Sequence, residues 1–231
     1  FRDVTAETGL DKVWMPMAAN FGDVDNDGYL DMYIGMGNPS FATLLPHELL
    51  LNREGKRFVN ATAASGTGEL HKGHGIAFAD LDRDGDEDIV AEVGGAVPAD
   101  RHALRLFENP GNGNDWINVR LIGTKSNRAA IGARIAVTVE NMVGGTHSTR
   151  VLHRTVGSGG SFGANPMEQH IGLGPSARII ALDTWWPATN TRQHFANVAK
   201  NQFLEITEFA PEYRRAVRKT VTLGGAARGK S

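Results

Sequence analysis

Cysteine is absent from this 231-residue chain, which excludes disulfides, thiolate metal sites and cysteine nucleophiles together. No apolar run approaches the roughly 18 residues that a membrane-spanning helix needs, so no transmembrane segment is expected. Aromatic residues are only 7 %. Long helical periodicity is also missing from the first half of the chain. What is abundant is glycine, at 28 residues, between short apolar stretches. Hydrophobic residues at 41 % and charged residues at 22 % are ordinary for a globular chain.

Charge is unevenly placed. Residues 1–114 carry 19 acidic and 9 basic residues, whereas residues 115–231 carry 7 and 15. The split predicts two units of different chemistry. The acids of the first half gather in two runs, Asp23-Val-Asp25-Asn-Asp27-Gly28-Tyr29-Leu-Asp31 and Asp80-Leu-Asp82-Arg-Asp84-Gly85-Asp86-Glu-Asp88. These runs lie 57 residues apart, and the offset extends beyond them. Phe1, Thr5, Gly9, Phe21 and Asn52 recur as Phe58, Thr62, Gly66, Phe78 and Asn109. A fixed period of this size marks a repeat architecture. Alternating Leu30, Met32 and Ile34, then Leu49 to Leu51, Ile89 to Val93 and Leu104 to Phe107, read as short strands between Gly, Asn and Pro turns, Pro39 and Pro98 among them. A unit of about four such strands has the size of one propeller blade.

The two runs fit D-x-D-x-D-G-x-x-D. Four carboxylates within nine residues repel one another, and the crowding is tolerable only if a divalent cation sits among them. A loop that curls about one point brings positions 1, 3, 5 and 9 inward. Glycine at position 6 allows the bend, and position 7 offers its carbonyl oxygen. Hard oxygen ligands in that number favour Ca²⁺. Position 12 holds Ile34 or Ala91 rather than glutamate, so the loops are not helical EF-hands, and Asp31 and Asp88 are the expected closing ligands. Two Ca²⁺ sites are therefore expected.

Phe21-Gly-Asp-Val-Asp-Asn-Asp-Gly and Phe78-Ala-Asp-Leu-Asp-Arg-Asp-Gly resemble FG-GAP/VCBS repeats. The second half resembles an ASPIC/UnbV domain of the cartilage acidic protein family. It does so through Asn114-Asp-Trp-Ile-Asn-Val-Arg-Leu, Ser126-Asn-Arg-Ala-Ala-Ile-Gly-Ala-Arg134, Gly157-Ser-Gly-Gly-Ser-Phe-Gly163, His170-Ile-Gly-Leu-Gly174 and Trp186-Pro187. The resemblance implies an all-β chain: two blades of a calcium-loop propeller at 1–57 and 58–114, then a small β-sandwich at 115–208 and a basic tail at 209–231. It assigns metal binding to Asp23, Asp25, Asp27 and Asp31, and to Asp80, Asp82, Asp84 and Asp88, with carbonyl oxygens from Tyr29 and Asp86. Two blades do not close a propeller. Upstream blades, another chain, or the second half itself must cover them, and the family favours upstream blades.

In the second half, strands are expected at 116–122, 134–139, 149–156, 169–173, 179–186 and 202–207, with Trp185 and Trp186 facing opposite ways. The Ser126–Arg128 segment reads as a polar turn held by Asn127 and capped by Arg128 rather than as a ligand-contacting loop. The tail, with Arg214, Arg215, Arg218, Lys219, Arg228 and Lys230, reads as a solvated or partner-docking extension suited to an acidic surface such as that of the first half, since no nucleic-acid reader motif accompanies it.

No H-E-x-x-H zinc motif is present. Gly157–Ser161 is not a nucleophile elbow, and Gly172-Leu-Gly174 is too short for a dinucleotide loop. The expected function is a calcium-binding interaction or scaffold module outside the cell or in the periplasm, with protein partners or a ligand at the cell surface and no catalytic residues. The alternative is an exported enzyme, or an enzyme's accessory domain, with a site on the propeller face.

Overall fold

A computed structural model describes residues 1–38, 40, 45–95, 101–143, 146–157, 159–160 and 162–224. Ser158, Ser161, Pro39, Pro98, Arg228 and Lys230 fall outside them. The chain is all-β, with four small sheets in a propeller-like arrangement and helix almost absent.

The first sheet has the order β1-β2-β3-β4, from Pro16–Gly22, Asp31–Met36, Glu48–Arg53 and Arg57–Asn60, all antiparallel. A single helical turn, α1 (Thr62–Ser65), follows and stops at Gly66 in the left-handed conformation. The second sheet has three strands, β5-β6-β7, from Gly73–Ala79, Asp88–Val93 and Ala103–Phe107. Strands β1, β4 and β5 escaped the sequence reading. Each is rich in Gly, Asn or charge, and is a strand because its neighbours complete it.

The central strand β2 is buried on both faces, not one. Tyr33 joins Phe78, Ile89, Ala91 and Val93 in a core between the two sheets. Met32, Ile34 and Met36 face the other way, onto Leu10, Trp14 and Phe58. The repeat partners Phe21 and Phe78 fare differently. Phe78 is fully buried against the first sheet, whereas Phe21 is 45 % exposed. The same residue type occupies the same register, but only the second sheet has a neighbour on that side.

The second half is a sandwich of two four-stranded sheets around one core. One sheet is β11-β8-β14-β15, from Gln169–Gly174, Asp115–Ile122, Gln202–Thr207 and Arg214–Ala216. The other is β10-β9-β12-β13, from Thr146–Thr155, Arg134–Val143, Ser176–Trp186 and Thr191–Ala196. Among the described residues only β8 and β14 pair in parallel. Ile135, Val137 and Val139 point inward as their alternation requires. Trp186 is fully buried and donates Nε1–H to Gln193 Oε1 at 2.6 Å, which satisfies its one polar atom. Trp185 faces outward between the guanidinium groups of Arg134 and Arg192, 4.9 and 5.5 Å from its ring. Strands β13 and β15 were not foreseen; both are polar edge strands that carry little hydrophobic pattern.

Candidate metal loops and the sandwich that covers them

The acidic runs form two like-built turns between strands. Carboxylate oxygens of Asp23, Asp25 and Asp27 lie within 4.8 Å of one another, and so do those of Asp80, Asp82 and Asp84. Among the described residues these are the groups of three or more His, Asp or Glu that gather so closely. Both turns place position 4 (Asn26, Arg83) and position 6 (Gly28, Gly85) at positive φ. In both, the position-7 N–H, from Tyr29 or Asp86, donates to the position-5 carboxylate at 2.8 or 3.0 Å. Glycine at position 6 is needed twice over in the second turn. Gly85 has φ +102°, and a β-carbon there would stand 2.0 Å from the Trp116 indole. Gly85→Ala is expected to cost about 2–3 kcal/mol through strain and a displaced Trp116, measurable as a lower urea midpoint.

Position 9 behaves differently from the other carboxylates. Asp31 is fully buried and accepts the Val24 N–H at 3.0 Å and the Asn52 N–H at 2.7 Å. Asp88 repeats the arrangement with Leu81 at 3.0 Å and Asn109 at 2.9 Å. Each position-9 carboxylate therefore ties its own turn to the end of a strand 21 residues on. Neither belongs to a close-packed trio, so the structure brings together positions 1, 3 and 5 and gives position 9 a bracing role. The asparagine pair at the fixed offset was the visible signal for that brace.

The donor chemistry of the trios fits a hard cation. Asp25 Oδ1 and Asp80 Oδ2 are buried with no hydrogen-bond partner, an arrangement that costs free energy unless positive charge is supplied. Burial pushes Asp23 up to about 7 against the opposing charge of Arg154. Burial, then repulsion from Asp84, pushes Asp80 up to about 7. Asp31 rises to about 8 by burial, despite its hydrogen bond from Asn52. Protons thus occupy these loops near neutrality when no cation does.

The two loops are not electrostatic equals. Arg53 reaches Asp25 at 2.7 Å, and Arg154 of the sandwich reaches Asp23 at 3.3 Å. No ion pair reaches Asp80, Asp82 or Asp84 among the described residues. The expectation that only a metal could neutralise the first run is corrected here: guanidinium groups do part of that work.

The sandwich sits on both loops. Gly172 donates its N–H to Asp23 Oδ2 at 3.1 Å, and Gly174 donates to the Asn26 carbonyl at 2.7 Å. His170 Nε2 lies 2.6 Å from Asn26 Oδ1, and burial, then the charge of Arg154, lowers the imidazole to about 3, so the ring is neutral. Glu87 accepts the Asp23 N–H at 2.7 Å, and burial raises its carboxyl to about 7. Trp116 stacks on His170, with ring centroids 6.0 Å apart, and covers Gly85. The tail closes the second loop: the Val221 N–H donates to the Asp82 carbonyl at 2.7 Å, and Arg218 pairs with Glu168.

Two other features bear on function. Asn127 exchanges hydrogen bonds with Ile131, at 2.8 and 2.9 Å, so the Ser126–Arg128 turn is held by its asparagine. Arg128 plays no capping part in it. The buried Glu208, missed by the sequence reading, receives the N–H groups of Thr124, Lys125 and Ser126 at 2.8–2.9 Å. On the outer face of the sandwich, Arg134, His153, Asp183, Trp185 and His194 line an open groove, in which His194 pairs with Asp183 at 2.8 Å.

Residues 123–212 match the family described as ASPIC and UnbV. The chain is similar to Cartilage acidic protein 1 of Homo sapiens, at 34 % identity over 90 residues. That match takes in 38 % of this chain and 13 % of the relative's length. Among the described residues no helix is long and apolar enough to cross a membrane.

Proposed function

We propose that the chain is a calcium-binding interaction module that works outside the cell or in the periplasm, with Asp23, Asp25, Asp27 and Asp80, Asp82, Asp84 holding two Ca²⁺ ions. Tyr29 and Asp86 add carbonyl oxygens, and Asp31 and Asp88 brace each loop. The two repeats are FG-GAP-type blades, and the sandwich locks them through the loops. One observation carries the reading most: two turns, 57 residues apart, present the same carboxylate trio, each with a buried oxygen that has no partner. Similarity to a cartilage protein supports a place outside the cell. The exposed His194–Asp183 pair lies on an open sheet face, so binding is favoured over catalysis.

A bound cation would supply charge compensation that fixes the turn geometry. The residues of the chain do the rest. Gly172, Arg154 and Asn26 hold the first loop to the sandwich, while Trp116 and Val221 close over the second.

Titration calorimetry of the chelator-treated chain with CaCl₂ tests this. Two sites are expected, the Asp80–Asp84 loop being tighter because no arginine competes there. Binding releases protons near pH 6.5, since burial raises Asp23 and Asp80 to about 7, so the measured heat changes with the buffer's ionisation enthalpy. Absence of uptake at 5 mM CaCl₂ removes the proposal.

A further inference from the structure

The outer face of the sandwich holds two arginines on either side of a tryptophan. The strand order β9-β12-β13 sets Arg134, Trp185 and Arg192 in one row, because Trp185 pairs with Arg134 on one flank and with Arg192 on the other. The Trp185 Nε1–H donates to Asn190 Oδ1 at 3.1 Å, in the turn between β12 and β13. The ring is thus pinned at its edge, and it holds a guanidinium group over each flank by cation–π attraction. Both arginines are exposed, and neither has an ion pair among the described residues.

The next row on the same strands is His153, Ala136, Asp183 and His194. The small Ala136 leaves a depression there, a groove of about 590 Å³. The groove continues past Arg192 and His194 to Phe209 and Pro211, and from there to Tyr213 and the exposed Arg215. It is therefore one trough that leaves the sheet face and turns around the β13 edge. Three guanidinium groups and two imidazoles line it, and no lysine does among the described residues. Its acids are Asp183, which His194 takes up at 2.8 Å, and Glu212. The contacts that hold the loops, from Arg154, His170, Gly172 and Trp116, lie outside it.

We propose that this trough binds a linear sulfated polysaccharide, with Arg134 and Arg192 clamping two of its sulfate groups and Arg215 meeting a third. A sulfate ester stays ionised across the working pH range. It presents three free oxygens, which a guanidinium fork meets two at a time. Guanidinium and sulfate are both weakly hydrated, so pairing them costs little desolvation. The tryptophan already fixes two of the arginines, so little side-chain freedom is lost on binding. The trough's length suits a polymer rather than a single small anion. The half of the chain that carries it has 15 basic residues against 7 acidic ones, which draws a polyanion to this end of the molecule.

Two other polyanions fit less well. Single-stranded nucleic acid gains much of its affinity by stacking bases on free aromatic faces. Here guanidinium groups flank Trp185, and Lys125 stands 5.8 Å over Phe209. An acidic peptide would gain most by adding to β13 as a strand. That edge is flanked by residues 209–213, with Gln193 donating to the Ala210 carbonyl at 2.7 Å and Phe195 packed on Tyr213. The proposal goes beyond calcium binding and does not use the acidic loops.

Isothermal titration of the full chain in CaCl₂ tests it with three probes: a sulfated octasaccharide from heparin, an unsulfated hyaluronan octasaccharide, and single-stranded DNA of matched charge. The sulfated probe is expected to bind most tightly, and its affinity falls roughly 10- to 20-fold between 50 and 200 mM NaCl. Arg134→Ala and Arg192→Ala each weaken it about tenfold. Arg192→Lys recovers only part of that loss, since an ammonium keeps the charge without the fork. Arg178→Ala is the control: Arg178 is exposed on the same sheet but already paired with Glu140 at 2.9 Å, so a change below about twofold is expected. No heat from the sulfated probe at 100 µM chain overturns the proposal. An Arg178→Ala loss equal to that of Arg134→Ala also overturns it, because charge alone would then explain binding. Hyaluronan or DNA bound as tightly as the sulfated probe overturns the choice of ligand. Calcium uptake is measured separately, so either assignment can fail while the other stands.

Discussion

Calcium is expected to raise the melting temperature of the chain by about 10–20 °C at pH 8 and by far less at pH 5. A ligand present at a hundredfold excess over its Kd adds about 2.7 kcal/mol per site. Two sites give about 5 kcal/mol, and each kcal/mol moves the midpoint of a domain this size by about 2–4 °C. The pH dependence follows from the acids of the loops. Burial raises Asp23 and Asp80 to about 7 and Asp31 to about 8, from an ordinary 3.8. Between pH 4 and 8 the folded, metal-free chain therefore holds protons that the unfolded chain has released. Its stability is full below pH 4 on this account and falls as pH rises towards 8. A cation takes the place of those protons, so its benefit grows over the same window. Differential scanning fluorimetry in CaCl₂ and in EDTA at several pH values reads the result. Superimposed curves at pH 8, or a larger gain at pH 5, would count against metal in these loops.

Sequence reasoning located these loops because everything needed to define them is local. Four carboxylates within nine residues, with glycine at the bend, specify a turn whatever surrounds it. What lies across the fold was less legible. That Asp31 and Asp88 brace rather than join the trios depends on Asn52 and Asn109, 21 residues away. The compensation of the first loop by Arg154 spans 131 residues, and no local pattern announces it. The same limit explains Phe21 and Phe78. Their equal register was plain, but their unequal burial is set by which sheet has a neighbour. The strands of the sandwich were found wherever apolar residues alternate, as in Ile135, Val137 and Val139. They were missed where an edge strand is polar, as in Thr191–Ala196 and Arg214–Ala216. The fourth strand of the first sheet was hidden for a different reason. It belongs by repeat to the next unit, so a reading that cuts the chain at the period divides the sheet from its last member.

Glu208→Ala is expected to be the most damaging single substitution in the sandwich, at about 3–5 kcal/mol. The carboxylate fills a nest made by the strand-to-turn transition after β8. Its Oε2 accepts three consecutive backbone N–H groups, from Thr124, Lys125 and Ser126. Its Oε1 accepts the hydroxyls of Ser126 and Thr189, both at 2.7 Å. Burial by itself would raise the carboxyl's pKa. The hydrogen bonds from Ser126, Thr189 and Thr124 outweigh it and hold the group well below the ordinary carboxylate range. Removing the side chain leaves three part-buried backbone donors without an acceptor, the costly side of hydrogen-bond energetics. It also frees the Ser126–Arg134 segment, which carries the buried Ala130 and Ala133 of the core. Glu208→Gln separates the charge from the shape. The amide oxygen accepts the three N–H groups while the amide nitrogen donates to the two hydroxyl oxygens, so a cost of about 1–2 kcal/mol is expected. Because the folded pKa lies below the unfolded one, the carboxylate's advantage over the amide is full above about pH 5. It fades as pH falls towards the depressed value. Urea denaturation of the three chains at pH 7 and pH 3 measures this. A Glu208→Ala chain within 1 kcal/mol of the parent at pH 7 would mean that the turn is held elsewhere. A glutamine variant that trails the parent equally at both pH values would mean that the charge is not what the nest selects.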